Sequence, residues 1–194
     1  GLILAGTLLL LLPFTHQGDG FTPIVDALFT STSAVTVTGL TTVDTSDYWT
    51  PAGQGIILAL IFIGGLSFMA IATFLLILTG RRLSLSLRML ARDSYQVNQM
   101  GGLAYLTIKI VVVATVIQFA GFIVLAVRFS FTSDMEGQPI WQALFQAVSA
   151  FNGAGFSNLP QGESLSMFRA DKVALGIMGL LIFMGAISYW VMVD

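Results

Sequence analysis

The chain has 194 residues, 56% of them hydrophobic and 9% charged, with a formal net charge of −2 and a mean hydropathy of +0.88. Soluble domains carry about 25% charged residues, so this chain lacks the polar surface to coat a globule in water and reads as a membrane protein. Cysteine is absent and histidine occurs once, which excludes disulfides and thiolate metal sites and argues against a zinc enzyme.

The first apolar run, residues 2–12, stops at Pro13 before it is long enough to span a bilayer. The chain does not open on Met, and Gly1 supplies no basic leader of the kind a signal peptide needs. The run is therefore expected to be the end of a longer helix. Residues 23–42 follow, apolar and aromatic at first, then rich in Ser, Thr and Gly. A segment of this length and mixture reads as re-entrant rather than spanning. Residues 55–78 are long enough to cross a hydrocarbon core of about 30 Å. The linker 80–102 carries Arg81, Arg82, Arg88 and Arg92 against one acid, Asp93, and belongs in the cytoplasm by the positive-inside rule. A second crossing, residues 103–127, leads to a second mixed segment, 140–158, and a third long apolar stretch, 173–193. The expected fold class is all-α and membrane-embedded, with a first helix–loop–helix unit over 1–79, a linker over 80–102 and a second unit over 103–194. Both loops then enter from the outer side, which also carries most of the acids, among them Asp26, Asp44, Asp47 and Glu163.

The two units repeat. Without gaps, Ala27, Leu28 and Phe29 meet Ala143, Leu144 and Phe145; Ser33 and Ala34 meet Ser149 and Ala150; Gly39 meets Gly155. After a short insertion Phe62, Gly64, Ser67 and Phe68 fall on Phe183, Gly185, Ser188 and Tyr189. Two crossings separate the loops, so the repeats are parallel. Parallel units suit a pore on an axis normal to the membrane, whereas many secondary transporters use inverted ones.

A cation leaving water must regain oxygen ligands, and selectivity filters supply them as rings of backbone carbonyls. The chain must then be extended and locally unusual in φ/ψ, which glycine permits. Pro23 and Pro139 are placed to start two short helices, expected to end near Ala34 and Ala150 with the negative ends of their dipoles toward a cation. The stretches after them name the candidate ion-binding residues: Thr36, Val37, Thr38, Gly39 and Leu40 in the first loop, Asn152, Gly153, Ala154, Gly155 and Phe156 in the second. The carbonyls of Val37, Thr38, Gly39, Gly153, Ala154 and Gly155 are the expected ligands, with side-chain oxygens of Thr36 and Asn152 at the inner end. The plainer reading of each loop is a Gly/Thr turn capping a buried helix.

Other residues carry plainer expectations. Gly64-Gly65 and Gly185-Ala186 read as close helix packing, with a hinge as the sharper alternative. Gln118 reads as an interhelical hydrogen-bond partner. His16 reads as solvated in an outer loop, and Tyr48, Trp49 and Trp141 as an interfacial aromatic belt.

The chain resembles the Trk/Ktr/HKT superfamily of potassium transporters, and within it the membrane subunit of the bacterial Ktr type. The resemblance rests on residues 6–13 (GTLLLLLP), 26–40 (DALFTSTSAVTVTGL), 63–69 (IGGLSFM) and 149–157 (SAFNGAGFS), and covers nearly the whole chain. It implies inward transport of potassium across the bacterial plasma membrane, with sodium dependence in some members, and no cofactor. It also implies four repeats around one pore, of which this chain holds the first two, with one filter glycine each, Gly39 and Gly155. Plant relatives that prefer sodium carry serine at the first position, so Gly39 argues for potassium. The resemblance further implies a homodimer in the lipid bilayer, partnered by a cytoplasmic nucleotide-binding ring protein, with no nucleic-acid partner. Two repeats make half a ring, so the chain is expected to be the N-terminal part of a longer protein or to associate with a second copy. The alternatives are a sodium or unselective cation pore and a structural or assembly subunit. An enzyme is not expected, because the only ionisable candidate within a crossing is Lys109.

Overall fold

The computed structural model describes residues 1–18, 20–78, 99–131, 138–159 and 171–187, the backbone alone at 68–78 and 99–107. The helices in chain order are α1 (Leu2–Leu10), α2 (Ile24–Thr36), α3 (Thr45–Tyr48), α4 (Pro51–Leu78), α5 (Gln99–Ser130), α6 (Pro139–Asn152) and α7 (Lys172–Ala186). Among the described residues there is no strand, only an isolated antiparallel bridge between His16 and Trp49. The basic linker, except its last residues in the first turn of α5, lies outside the described residues, as do Asp19, Asp134, Glu136, Glu163, Arg169, Ser188 and Tyr189.

α5 shows how these sequences choose their faces. Ile110, Ala114, Gln118, Leu125 and Phe129 are buried along one stripe, at the spacing that places side chains above one another on a helix. Val112, Val116, Phe119, Ile123, Val124 and Val127 are exposed on the remainder. The outward face is apolar and the inward stripe holds the polar group, the reverse of a helix in water and the arrangement that lipid demands. The stretch Ile108–Ser130 is long and apolar enough to cross a membrane. α4, at 28 residues, is about 42 Å long at 1.5 Å per residue. α7 is seen for 15 residues, and the remainder of the crossing expected over 173–193 lies beyond those described.

The helices form two three-helix units. α1 and α4 flank α2, and α5 and α7 flank α6. The two units make similar contacts. A Cβ on Gly6 would lie 2.7 and 2.9 Å from the methyls of Leu60, and one on Gly121 would lie 2.8 and 2.6 Å from those of Leu181. Gly64 abuts the backbone of Val35, and Gly185 abuts that of Phe151. Val35 and Phe151 are matched by the loop alignment, so each trailing helix lies against its short helix at the same place. Both glycines therefore serve close packing.

The helix starts are fixed by caps that differ in chemistry. Thr50 Oγ1 accepts from the Gly53 amide at 3.3 Å and donates to the Phe14 carbonyl at 2.7 Å, tying the start of α4 to the end of the α1 region. At the start of α7 Asp171 accepts from the amides of Val173 and Ala174, both at 3.1 Å, and from Arg128 Nε of α5 at 2.8 Å. One side chain in each unit thus caps the trailing helix and holds the leading one.

α4 also packs on α6 and α5 and forms the main seam between units. One core cluster joins Leu10, Ala27, Ala34, Trp49, Ile57, Leu60 and Ile61 to Phe145, Val148, Ala154 and Phe156 of the second unit. The other cluster, with Leu125, Phe129, Ala143, Ala147, Leu159, Ala174, Met178 and Leu181, is confined to the second unit.

Two expectations for the outer surface are corrected. His16 is buried, its Nδ1 is 3.2 Å from Thr22 Oγ1, and its ring stacks on Tyr48 at 5.6 Å. Trp49 is 1% exposed and belongs to the core rather than to an interfacial belt. The reason is the bridge between residues 16 and 49: Thr50 N donates to Thr15 O at 2.9 Å and Gln17 N to Tyr48 O at 3.0 Å, which folds this segment over the end of the first unit.

Candidate functional site

The short helices α2 and α6 end alike. Val37 takes the left-handed conformation (φ 55°, ψ 39°), and so does its counterpart Gly153 (φ 65°, ψ 28°). The next amide turns back in each case: Thr38 N donates to Ser33 O at 3.0 Å, and Ala154 N to Ser149 O at 2.8 Å. This is a Schellman-type close. It carries both helices two residues past the expected ends at Ala34 and Ala150, so Thr36 and Asn152 sit in the final helical turn. A β-branched residue in the left-handed region is strained, and strain of this sort concentrates where a backbone is held for a purpose.

Two residues further on, Gly39 (φ 75°) and Gly155 (φ 73°) again adopt positive φ. They face each other. A Cβ on Gly39 would stand 2.5 Å from Ala154 O and 3.0 Å from Gly155 Cα, and a Cβ on Gly155 would stand 3.2 Å from Gly39 Cα. Any side chain at Gly39 must therefore adopt a disfavoured φ and push the loops apart.

The second loop is anchored on alternate sides. Ala154 and Phe156 are buried in the seam cluster, while Gly153 and Gly155 stay exposed. In the first loop Thr36, Thr38 and Leu40 are exposed and Val37 and Gly39 half-buried. The expected oxygens are unevenly placed. Thr36 Oγ1 donates to Thr32 O at 2.8 Å and lies 3.2 Å from Thr38 Oγ1. Asn152 Nδ2 donates to Val148 O at 2.8 Å and to Gln118 Oε1 at 3.4 Å, which gives Gln118 the interhelical role expected of it. Asn152 Oδ1 is buried without a hydrogen-bond partner and lies against Gly65 of α4. Phe156 O accepts from Ser149 Oγ at 2.6 Å, so that carbonyl is engaged by protein.

Sequence reasoning missed the side chains behind the second loop. Gln146 Nε2 donates to Ser157 Oγ at 2.9 Å, and Trp141 Nε1 donates to Gln54 Oε1 at 2.7 Å. Trp141 was expected in an aromatic belt, yet its indole N–H points into the protein. The available signal was the set of glutamines, Gln54, Gln142 and Gln146, in otherwise apolar helices, since buried amides require partners. Among the described residues no group of three His, Cys, Asp or Glu side chains stands close enough to hold a metal ion. The oxygens these two loop ends carry belong to the backbone and to neutral amide and hydroxyl groups.

Apolar outward faces, a polar inward stripe and two short helices closing on paired glycine loops define a helical membrane protein. Residues 6–194 match the family of TrkH cation transport proteins, and the chain belongs to that family. It is 39% identical over 193 residues to the potassium/sodium uptake protein NtpJ of Enterococcus hirae. It is 38% identical over 196 residues to the Ktr system potassium uptake protein B of Vibrio alginolyticus, and 33% identical over 198 residues to the protein of that name from Bacillus subtilis. These alignments cover 99–100% of this chain and 42% of each relative, so the chain spans less than half the length of the curated relatives it matches.

Proposed function

We propose that the chain supplies two of the loops of a potassium uptake pore, and that residues 36–40 and 152–156 contribute backbone oxygens to its selectivity filter. The observation that carries the reading is the facing pair Gly39 and Gly155: matched positions, both at positive φ, in backbone contact at the C-terminal ends of two short helices. Helix C-termini present negative dipole ends to a cation, and extended glycine-bearing backbone presents carbonyls without side-chain obstruction. The names of the relatives, potassium uptake and potassium/sodium uptake proteins, support the same ion class. In this reading α2 and α6 are re-entrant from the outer side, the linker 80–102 is cytoplasmic, and the membrane is the bacterial plasma membrane. A complete ring needs further loops, supplied by the rest of a longer chain. The assembled transporter is read as a homodimer that works with a cytoplasmic nucleotide-binding ring protein, consistent with relatives named as parts of a Ktr system.

The test is rubidium and sodium uptake into potassium-starved cells lacking their own uptake systems, with the full reading frame that contains this chain and its Gly39→Ser variant. Potassium-competed rubidium uptake by the parent, with the rubidium-to-sodium ratio lowered in the variant, is the expected result. Sodium uptake indifferent to potassium in the parent favours the sodium or unselective pore. No cation uptake by well-inserted protein assigns the loops to helix capping and the chain to a structural role.

A further inference from the structure

Gln54 lies near the start of α4, is 7% exposed, and spends its whole amide on bridging the two units. Its Nε2 donates to Trp49 O at 3.1 Å and Thr45 O at 3.3 Å, in the outer segment of the first unit. Its Oε1 accepts from Trp141 Nε1 at 2.7 Å and from Asn158 Nδ2 at 3.4 Å, in the second. An amide has two N–H groups and two lone pairs, so Gln54 is fully used. Asn158, 5% exposed, stands three residues beyond Gly155.

The three residues following Gly155 are each held by a side chain: Phe156 O by Ser149, Ser157 Oγ by Gln146, and Asn158 Nδ2 by Gln54. The first two anchors come from α6, the loop's own helix. The third comes from the other unit and is itself tied to that unit's backbone. The matched residues of the first loop, Leu40, Thr41 and Thr42, are exposed. The second loop's outer end is thus set in part by the first unit.

We propose that Gln54, with Trp141 and Asn158, is a positioning clamp that sets the separation of the Gly39 and Gly155 loops, and so tunes which monovalent cation the filter prefers. The proposal rests on the filter reading above. Filter oxygens discriminate ions by cavity size or by ligand number and field strength. Both depend on how firmly the loops are held; Gln54 is satisfied on both its nitrogen and its oxygen, while Asn158 is tied through its Nδ2 alone, its Oδ1 being buried without a partner.

The experiment uses the full-length protein in the same uptake assay, with Gln54→Met, which keeps length and removes the amide, and Trp141→Phe, which keeps a ring and removes the N–H. Gly39→Ser runs alongside. The expected result is a rubidium-to-sodium ratio lowered roughly fivefold in Gln54→Met, and by less in Trp141→Phe, the scale of losing one or two well-placed hydrogen bonds. Uptake of both ions falling in proportion to the amount of folded protein, at an unchanged ratio, would overturn the clamp and leave a structural bridge. If Gln54→Met does not accumulate, the ratio in Trp141→Phe decides. A ratio shifted by Gly39→Ser but by neither clamp variant sinks the clamp alone. A ratio shifted by none of the three sinks the filter reading and the clamp with it.

Discussion

At the scale of single residues, backbone conformation limits what each loop tolerates. Val37 sits where glycine is favoured, and its counterpart is glycine. Left-handed geometry costs an L-residue about 1–2 kcal/mol, and glycine's greater unfolded-state freedom offsets about 0.5–1 kcal/mol of the relief. Val37→Gly is therefore expected to change stability in detergent by no more than about 1.5 kcal/mol. Gly153→Val, where φ is +65° and no atom lies within 4 Å of the added Cβ, is expected to cost about 1 kcal/mol, a strain of about 1–2 kcal/mol less about 0.5–1 kcal/mol regained from reduced unfolded-state freedom. Thermal unfolding of both variants checks the pair, and a neutral Gly153→Val would contradict the left-handed assignment. Gly39 carries a double constraint, a positive φ and the Ala154 carbonyl opposite it, so even Gly39→Ala is expected to disturb the loops.

At the scale of helices, the glycines sort by what they touch. Gly64→Ala and Gly185→Ala drive a methyl into the Val35 and Phe151 carbonyls. Backbone cannot yield as a side chain does, and such overpacking costs about 1–3 kcal/mol. Gly176 and Gly179 on α7 have open space around them, so alanine there is expected to leave stability equal or raise it by about 0.5–1 kcal/mol. Equal losses at all four positions in thermal unfolding would contradict the packing described. The Arg128–Asp171 pair makes a pH prediction. The Arg128 hydrogen bond, aided by the Ala174 amide, holds the Asp171 carboxyl below its ordinary 3.8. A lowered carboxylate adds stability that is complete above its ordinary value and is lost as pH falls through the lowered one. Asp171→Asn keeps a cap but loses the charge. It should cost at most about 1 kcal/mol at neutral pH, because Arg128 is 41% exposed, and the difference from the parent should start to shrink as pH falls below 3.8 and vanish only below the lowered value of Asp171. Unfolding curves at pH 7 and about pH 2, well below the ordinary carboxylate value, check it, and a difference undiminished at the lower pH would contradict the ion pair.

The element scale also shows what the sequence made legible. The apolar runs and the matched glycines located the helices and both loops, because lipid-facing length and Gly spacing are local signals. The ends of α2 and α6 were misplaced by two residues, because their close depends on an αL residue that at position 37 is valine. His16 and Trp49 were misread because a bridge between distant segments buries them. Gln54, Trp141 and Asn158 carried no motif, and their roles appear only when the two units meet; Gln146 bonds Ser157 within its own unit.

At the scale of the whole molecule, α4 is the member that both units share, and the loop glycines meet across the seam it builds. Selectivity is expected to follow the contact between Gly39 and Gly155 rather than the chemistry of any one side chain. The measurement that tests this most directly is anomalous X-ray scattering from crystals of the full-length protein soaked in thallium or rubidium. The expected result is an ordered cation beside residues 37–39 and 153–155, about 3 Å from their carbonyl oxygens, and weakened in Gly39→Ser. Ordered cations elsewhere in the protein, with none beside these two loops, would contradict it.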